Sequence, residues 1–472
     1  MAKVFSIPGL LPARGRKRYF DNSVEAFNPQ FWANESLAIL EEQMIIGNLV
    51  HRDFEPIVAN YGDTVNTRKV GEFAAKRKGT QDNVTVQDAT ASNIQVVMNH
   101  HVHVSFLIRD GEESRSIVSL VEEYMAPAMI AEARYVDQTL NMQVFRFLAN
   151  SYGRLGVLAD TDVVERLTGV RDVMNQAKAP MGMRNMLLTS KTETTFLRNS
   201  DFTDASMIGD DGSAMRNAHL GRLYGFENWT SLNAPSIASG NTAVVGAINN
   251  GNLSVGSTVL TVDAFAVELV TGSWVTIAGD DTPQRITAHA ETLAVTTQIT
   301  VSPGLKHAVV DGAAVTVYTP GAVNQAVSPT GYAKGWVKGI AVDGFTVAPK
   351  VGQMVSFGTA SDIYGIIEVT GTTEIVVDRP LDAAIANDDV VAVGPPGDYN
   401  FVFTRNALAM VVRPLAMPRA GIGALSQVVN LNGLSMRATL TYDGNKQGTL
   451  VTLDMLMGFQ VLDVNLGAVL LG

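Results

Sequence analysis

One stretch of the sequence limits the possible folds more than any other. From Glu112 to Asn150 the chain carries helix-forming residues almost without a break, and a continuous helix of this length would span roughly 55 Å. Pro127 interrupts it and predicts a bend. The apolar residues recur every three or four positions, which draws one stripe along a single face. They are Ile117, Leu120, Val121, Tyr124, Ala128, Ala131, Tyr135, Val136, Leu140, Val144 and Leu148. We expect a bent rod lying across a sheet or a neighbouring molecule, although a long core helix of an ordinary enzyme would show the same pattern.

The composition bounds the number of structural units and removes several kinds of chemistry. A chain of 472 residues is too long for one ordinary hydrophobic core, so two or three units are expected. Only 17% of the residues are charged, which suits a protein that buries much of its surface against other subunits. Cysteine is absent, and this excludes disulfides, thiol catalysis and thiolate metal sites.

Neither end of the sequence carries a targeting or membrane signal. After MAKVFSIPGLLPA come Arg14, Arg16, Lys17 and Arg18, where a secretory signal would have its cleavage site. The apolar C-terminal run is broken by Asp463 and Asn465, so it does not reach the length that spans a bilayer. We expect a protein that is made in the cytoplasm and does not enter a membrane.

The net charge of -11 is unevenly distributed. Residues 1–20 hold five basic side chains and no acidic one, whereas residues 240–397 hold six basic and fourteen acidic side chains. A second basic group lies within residues 68–78, where Glu72 is the one acidic residue. The group consists of Arg68, Lys69, Lys76, Arg77 and Lys78. One part of the chain therefore suits polyanions or acidic partners, and another part repels them.

The first 57 residues combine an arm with a short helix. Residues 1–33 are rich in Pro, Gly, Asn and aromatic side chains without a sustained period, which favours an arm that is pinned to a larger surface. Asn34 is the predicted cap of the helix that follows. The predicted buried face of that helix consists of Leu37, Leu40, Met44, Ile45 and Leu49.

A two-residue period between Asp63 and Ile108 predicts a long hairpin. Val65, Thr67 and Lys69 alternate with their neighbours, and the alternation returns from Val102 to Ile108. The basic loop KRKGTQDN lies between these runs. Such a hairpin has little core of its own, so we expect it to lie on another surface.

The histidines at the end of this segment allow two interpretations. His101 and His103 would point from the same strand face and, with His100, resemble a metal site. No carboxylate or cysteine stands at ligand spacing nearby, and alternation alone explains the pair as the polar face of a strand. We favour the strand face and predict no metal site.

Residues 259–321 and 339–397 resemble two copies of one β unit. At an offset of 80 positions, the first copy shares these residues with the second: Val262, Asp263, Phe265, Val267, Gly272 and Val275. At an offset of 76 the shared residues are Ile299, Val301, Leu305, Val315, Val317, Pro320 and Gly321. Short alternating runs separated by Gly, Asp and Pro predict small barrels or sandwiches, and we favour a tandem insertion over convergent β composition.

Catalytic motifs are missing from the sequence. There is no GxSxG elbow, no HExxH and no phosphate-binding loop, and Gly421-Ile422-Gly423 lacks the third glycine of a dinucleotide fingerprint. The acidic pairs Asp210-Asp211 and Asp280-Asp281 fall short of a calcium loop and are interpreted as turns. We predict no catalytic, cofactor or metal site, and no enzyme activity.

The order of these parts resembles the major capsid protein of tailed double-stranded DNA bacteriophages, whose fold is shared with herpesvirus capsids. An arm and an E-loop-like hairpin precede a spine-like helix with the Tyr124-x-x-Pro127-Ala128 pattern. A Pro180-Met181-Gly182-Met183-Arg184 turn and the strand from Gly221 to Phe226 follow. The C-terminal part, from FVFTRNALAMVVRPLAMP onward, resembles podovirus coat proteins with an inserted β domain. The resemblance covers roughly residues 1–235 and 398–472.

The resemblance implies an α+β capsid fold with an all-β insertion. Its expected parts are an arm and helix (1–57), an E-loop (58–111), a spine helix and peripheral domain (112–151), an axial domain (152–239), the insertion (240–397) and C-terminal strands of both domains (398–472). It further implies hexamers and pentamers in an icosahedral virion shell, assembly in the bacterial cytoplasm, a scaffolding protein, a portal and packaged DNA, and it leaves a decoration protein open.

Three groups of residues carry site hypotheses. The first, Arg14, Arg16, Lys17 and Arg18, is expected to face the packaged DNA or an acidic scaffold, while salt bridging between chains remains an equal alternative. The second, Arg68, Lys69, Lys76, Arg77 and Lys78, is expected to contact neighbouring subunits. The third is Pro127 alone, which is expected to bend the spine helix. A tail-tube, baseplate or decoration protein stays open as an alternative function, and a β-rich hydrolase that uses carboxylates is a more remote one.

Overall fold

The computed structural model describes most of the chain. The described residues are 29–52, 64–70, 75–80, 83–84, 86, 91–109, 124–156, 158–203, 218, 220–238, 243–263, 265, 269–292, 295–358, 362–413, 415–419, 424–431 and 434–472. Helices and strands are mixed in them, as expected for an α+β protein.

The helices lie mainly in the first half of the chain. The α-helices are α1 Pro29–Gln43, α2 Ile46–Leu49, α3 Ala126–Met142, α4 Val163–Gln176, α5 Ser190–Arg198 and α6 Ser200–Thr203. The 3-10 helices are Gln143–Asn150, Asp160–Asp162, Arg405–Ala407 and Val464–Leu466.

Strands make up most of the second half. In chain order, the first thirteen are β1 Thr64–Val70, β2 Ala91–Val97, β3 His100–Arg109, β4 Ser151–Gly153, β5 Arg184–Leu188, β6 Arg222–Leu223, β7 Phe226–Thr230, β8 Ser236–Ile237, β9 Ala243–Ile248, β10 Val259–Asp263, β11 Trp274–Ile277, β12 Gln284–Thr292 and β13 Val295–Ser302. The others are β14 Ala314–Tyr318, β15 Gly321–Val323, β16 Ile340–Asp343, β17 Met354–Phe357, β18 Tyr364–Thr370, β19 Glu374–Val377, β20 Val390–Val393, β21 Gly397–Thr404, β22 Leu408–Arg413, β23 Ala424–Leu431, β24 Leu434–Asp443, β25 Gly448–Val461 and β26 Gly467–Leu471.

The chain divides into two compact units, and the first is built around antiparallel strands. It comprises the described residues within Met1–Gln43, His101–Ala133 and Val412–Leu456. Strand β24 pairs with β23 on one side and with β25 on the other, and α1 packs against β23 and β24. Leu37 and Leu40 of α1 are fully buried, in agreement with the predicted apolar face.

The predicted start of that helix at Asn34 is wrong. The helix begins at Pro29, and Asn34 lies inside it. Proline is favoured in the first helical turn because its missing N–H would have no helical partner there. This preference outweighed the capping signal of Asn34.

A buried carboxyl group stands out in the first unit. Glu132 is 1% exposed, and neither of its carboxylate oxygens has a hydrogen-bond partner. Burial, with a smaller contribution from the negative charge of Asp454, raises the pKa of Glu132 to about 8. Asp454 itself is held by Arg437, whose Nε lies 2.9 Å from Asp454 Oδ1.

The second unit contains a central mixed sheet. The unit comprises the described residues within Met44–His100, Arg134–Val411 and Met457–Gly472. The strand order is β4-β26-β21-β5-β7-β6, with β8 attached to β21. The pairs β26–β4 and β5–β7 are parallel, and the other pairs along this order with a resolved register are antiparallel. Apolar residues of α4 and α5, such as Leu167, Val170 and Phe196, join the core of this sheet.

Two closed barrels follow one another between the strands of this sheet. The first contains β9 to β14 and the second contains β15 to β20. Counting strands from the start of each barrel, both close in the order first, second, fifth, fourth, third, sixth. Each barrel begins one strand before its copy of the repeated sequence. The boundary between the two barrels falls between Tyr318 and Gly321. Equivalent positions such as Val262 and Val342 are buried in the two cores.

The segment from residue 63 to 108 contributes to two different sheets. Strands β1 and β2 form a two-stranded antiparallel ribbon with seven residue pairs, from Thr64 opposite Val97 to Val70 opposite Ala91. The alternating residues from Val102 to Ile108 belong to β3, which pairs with β25. The two alternating runs that suggested one hairpin are therefore not partners of each other.

The long helical stretch departs from one continuous α-helix. Residues 124 and 125 form a π-helical turn, α3 ends at Met142, and a 3-10 helix continues to Asn150. The part of the prediction before residue 124 lies outside the described residues. A single apolar stripe would leave the other face of the helix in solvent, but in the C-terminal half the polar residues Thr139, Asn141 and Gln143 are buried as well.

Several buried polar groups of this stretch have hydrogen-bond partners in distant parts of the chain. Asp137 accepts hydrogen bonds from the backbone N–H groups of Ile45 at 2.9 Å and Gly47 at 3.3 Å. Burial nevertheless raises the pKa of Asp137 to about 6. Asn141 donates to Ser231 at 3.2 Å. The apolar stripe gave no sign of these contacts, since they depend on tertiary structure.

Candidate interaction surfaces

The segment that connects β1 and β2 is called the ribbon tip here, and its described residues are 75–80, 83, 84 and 86. It carries both basic and apolar side chains. Lys76, Arg77 and Lys78 lie in an exposed segment without regular structure, while Val84 and Val86 are 71% and 84% exposed. Valine side chains in such positions lose the stabilisation of about 1.5–3 kcal/mol that full burial would give. The tip therefore combines charge with apolar groups that gain from contact with another surface.

The other predicted basic residues are placed differently. Arg68 and Lys69 lie on β1, opposite Asn93 and Ser92 of β2. Arg68 and Lys69 thus lie on the first strand of the ribbon, whereas Lys76, Arg77 and Lys78 lie in the segment that connects its two strands. The arm residues Arg14, Arg16, Lys17 and Arg18 lie outside the described residues.

Pro127 lies at the start of α3. It is the second residue of this α-helix, is exposed, and directly follows the π-helical turn at residues 124 and 125. A proline cannot donate the backbone hydrogen bond of a regular helix, and π turns are common where that ladder is disturbed. The bend at Pro127 remains a prediction, because residues 110–123, which would form the helix before it, lie outside the described residues.

A second exposed apolar surface is formed by a rigid turn before β5. Met181 and Met183 are 66% and 82% exposed. Buried Arg184 holds the turn from below, since its Nε donates to Pro180 O at 2.8 Å and its Nη2 donates to Ala179 O at 2.7 Å. Met183 has a φ of 53°, which is uncommon for a residue with a side chain.

Tyr224 extends this apolar surface. It lies in the turn between β6 and β7, is 41% exposed, and has a φ of 47°. Because β5 and β7 are parallel and Arg184 pairs with Phe226, the turns that precede these two strands lie at the same end of the sheet. The sequence motif had drawn attention to the methionine turn only as a family resemblance. Its exposure depends on the tertiary structure.

The three neighbouring histidines have different surroundings. His101 and His103 are exposed, and their ring centroids are 6.4 Å apart. His100 is buried, with its ring 5.0 Å from that of Phe459. The described residues contain no group of three or more His, Cys, Asp or Glu side chains that could hold a metal ion.

One pocket in the second barrel bears on the hydrolase alternative. Its volume is about 160 Å³, and Asp362, Asp389 and Tyr364 line it. Asp389 accepts the backbone N–H of Ala386 at 2.6 Å, and burial raises the pKa of Tyr364 to about 12. At neutral pH the phenol therefore keeps its proton, and one carboxylate is engaged in holding a turn.

No helix in the described part of the chain is both long and apolar enough to cross a membrane. The described residues form two candidate interaction surfaces: the ribbon tip, and the methionine turn with Tyr224.

Comparisons with known proteins identify phage structures as neighbours. No protein-family model and no curated protein matches the chain. It is similar to a solved structure from Mycobacterium phage Che8, with 12% identity, 90% of both chains covered and a TM-score of 0.43. It is also similar to the capsid structure of cyanophage P-SCSP1u, with 10% identity, 87% of this chain and 84% of that chain covered, and a TM-score of 0.41.

A further match is the asymmetric unit of the mature capsid of bacteriophage PhiM1. The identity is 7%, the match covers 86% of this chain and 81% of that chain, and the TM-score is 0.38. At these TM-scores the similarity does not assign a function.

Proposed function

We propose that this chain is the major capsid protein of a tailed double-stranded DNA bacteriophage, and that many copies assemble into a closed icosahedral shell. The observation that carries the proposal is the β1–β2 ribbon. A two-stranded ribbon is marginally stable alone, and no third strand joins this one among the described residues. Its tip exposes two valines and three basic side chains, which suits a ribbon that lies on a neighbouring subunit.

The methionine turn supplies a second contact of the same kind. Arg184 holds the backbone at Ala179 and Pro180, so the start of the turn is already ordered before the exposed methionines pack against another copy. Small contacts of this kind hold a shell together because each subunit touches several neighbours at once.

The arrangement of the parts along the chain agrees with this proposal. The ribbon, the α3 helix, the mixed sheet and the barrels follow one another in the order of E-loop, spine helix, axial domain and insertion that the resemblance implies. In a shell, hexamers and pentamers would form the capsomers, and the virion capsid would be assembled in the bacterial cytoplasm. A scaffolding protein and a portal would take part in assembly.

The N-terminal basic residues are proposed to contact DNA or an acidic scaffold. Contact with phosphates requires no sequence recognition, and a container has no need of it. A variant with Arg14, Arg16, Lys17 and Arg18 changed to Ser, co-expressed with the scaffold, is expected to assemble or package poorly. Normal shells with normal packaging would contradict this role.

Particle size separates the proposed function from its alternatives. The protein would be purified after co-expression with the products of the neighbouring reading frames and imaged by electron microscopy. Hollow particles in the megadalton range are expected. A discrete ring or trimer would instead indicate a tail or decoration protein, and a small oligomer with hydrolytic turnover would indicate an enzyme.

A further inference from the structure

The 3-10 helix at residues 143–150 lies between the central sheet and both barrels. Side chains three residues apart eclipse one another in a 3-10 helix, so the segment presents rows of residues at i, i+3 and i+6. One row contains Val144, Phe147 and Asn150. Phe147 packs with its ring 5.0 Å from that of Phe401 in β21, and Asn150 donates to Val464 O at 2.9 Å. This row therefore faces the sheet and its connections.

A second row, Gln143, Arg146 and Ala149, meets the barrels. Gln143 Nε2 donates to Asp378 Oδ2 of the second barrel at 2.8 Å. Burial, with a smaller contribution from the positive charge of Arg379 in that barrel, lowers the pKa of Arg146, whose Nη1 donates to Gln460 Oε1 of β25 at 3.4 Å. The carbonyl oxygen of Ala149 accepts a hydrogen bond from Lys306 Nζ of the first barrel at 2.8 Å.

The two barrels use equivalent turns for these contacts. Asp378 follows the fifth strand of the second barrel, and Lys306 lies in the turn after the fifth strand of the first barrel. At the repeat offset of 76, Lys306 corresponds to Asp382, which lies in the same turn as Asp378. The two barrels thus contact the same 3-10 helix at two positions, Gln143 and Ala149, which are six residues apart.

The 3-10 geometry is what allows both rows to keep their partners. In an α-helix successive residues turn by about 100°, so positions 143, 146 and 149 would spread over roughly 120° instead of lying in line. The helix would also be shorter, because eight residues rise about 1.5 Å each in an α-helix and about 2.0 Å each in a 3-10 helix.

We propose that the two barrels act together as a clamp that holds residues 143–150 in the 3-10 form and thereby sets the length of the connection between α3 and β4. Without the clamp the segment joins α3 as a regular α-helix and shortens by about 4 Å. A movement of the barrels is then transmitted to the central sheet as a change in this length. The inference concerns the isolated chain and holds whether or not the chain forms shells.

The test uses the absence of cysteine from the native chain. Arg134 and Ala159 are exposed and flank the segment, so both are replaced by Cys in the full-length protein and spin-labelled for distance measurement. Two variants then remove the two contacts separately: Lys306→Met removes the donor from the first barrel, and Gln143→Leu removes the donor to the second. Lys338→Met is the matched control, because Lys338 is an exposed lysine of the second barrel outside this contact.

The expected result is a label-to-label distance about 4 Å shorter in part of the molecules of the released variants, and in none of the control. Hydrogen exchange of the amides at residues 146–150 should stay slow, because an α-helix also protects them. An unchanged distance in both variants would overturn the proposal. Faster exchange without shortening would overturn it as well, because the segment would then unfold instead of relaxing. If Gln143→Leu fails to fold, Lys306→Met alone decides, since its contact lies at the surface.

Discussion

The barrels and the β1–β2 ribbon are both made of short alternating strands, yet they reach stability in different ways. Each barrel is closed and encloses its own apolar core within a contiguous stretch of sequence. The ribbon buries Val65 and Val96 but exposes Val84 and Val86. A closed barrel leaves no unpaired edge, whereas a ribbon leaves two. The difference is the basis of the proposal that the ribbon, unlike the barrels, is stabilised by a neighbouring subunit.

The largest expected effect comes from the barrel cores. Leu260 and Ile340 occupy equivalent positions, and both are fully buried. Replacing either by Ala should lower the free energy of unfolding by about 3 kcal/mol, because the lost side chain leaves a cavity. Urea titration measures this. Val327→Ala in the second barrel is the control, since that residue is 68% exposed. Equal losses at Val327 and Ile340 would contradict a closed, self-sufficient core.

A pH-dependent effect is expected where the ribbon leads into β3. Burial and, to a smaller extent, the positive charge of Arg379 lower the pKa of His100 from 6.5 to about 4. Above pH 6.5 the imidazole is neutral in both states. As the pH falls from 6.5 to 4 the unfolded chain binds a proton that the folded chain does not, so stability decreases, by up to about 3 kcal/mol.

Unfolding curves of the wild type and His100→Phe at pH 7 and pH 4.5 test this effect. Phe fits among the rings of Phe459 and Tyr135 that surround His100 and cannot be protonated. The variant should lose less stability between the two pH values than the wild type does. Equal losses would show that His100 is not the group that titrates.

The ribbon tip should affect assembly more than stability. Changing Lys76, Arg77 and Lys78 to Ser should shift the free energy of unfolding by less than about 0.5 kcal/mol, because the three side chains are exposed. The yield of assembled particles should fall several-fold, as measured by sedimentation and electron microscopy. A variant with Lys334, Lys338 and Lys446 changed to Ser removes the same charge from other exposed sites. Equal yields from both variants would remove the special role of the ribbon.

The smallest effect is expected at Pro127. Pro127→Ala restores a backbone donor at the beginning of α3 and should change subunit stability by less than about 1 kcal/mol, since a proline in the first turn costs little. If the bend adjusts curvature, the diameter or the yield of the particles should change. Particles identical to those of the wild type would show that the bend is incidental.

The barrels could be anticipated from the sequence because a repeat reports core positions directly. Ile299 and Ile375, or Val315 and Val391, recur at one offset because each pair fills equivalent space in two similar cores. Ribbon pairing was harder to infer. Alternation predicts strands but not their partners, so β3 was grouped with β1 although it pairs with β25.

Buried polar contacts were beyond the sequence for a different reason. Asp280 lies in a turn, as predicted, but it is also fully buried and accepts the backbone N–H groups of Lys306 at 2.9 Å and His307 at 2.6 Å. Gln143 likewise has its partner 235 residues away. Burying a polar residue without a partner costs free energy, and local sequence does not reveal which distant residue will supply that partner.

The position of β26 has a consequence for the order in which the molecule can form during synthesis. This strand lies between β4 and β21 and pairs with both. The barrels end at Val393, so they can close while the ribosome is still making the chain. The remaining residues take several seconds at about 5–20 residues per second. Through that interval β4 waits for β26, its partner strand in the sheet, which does not yet exist.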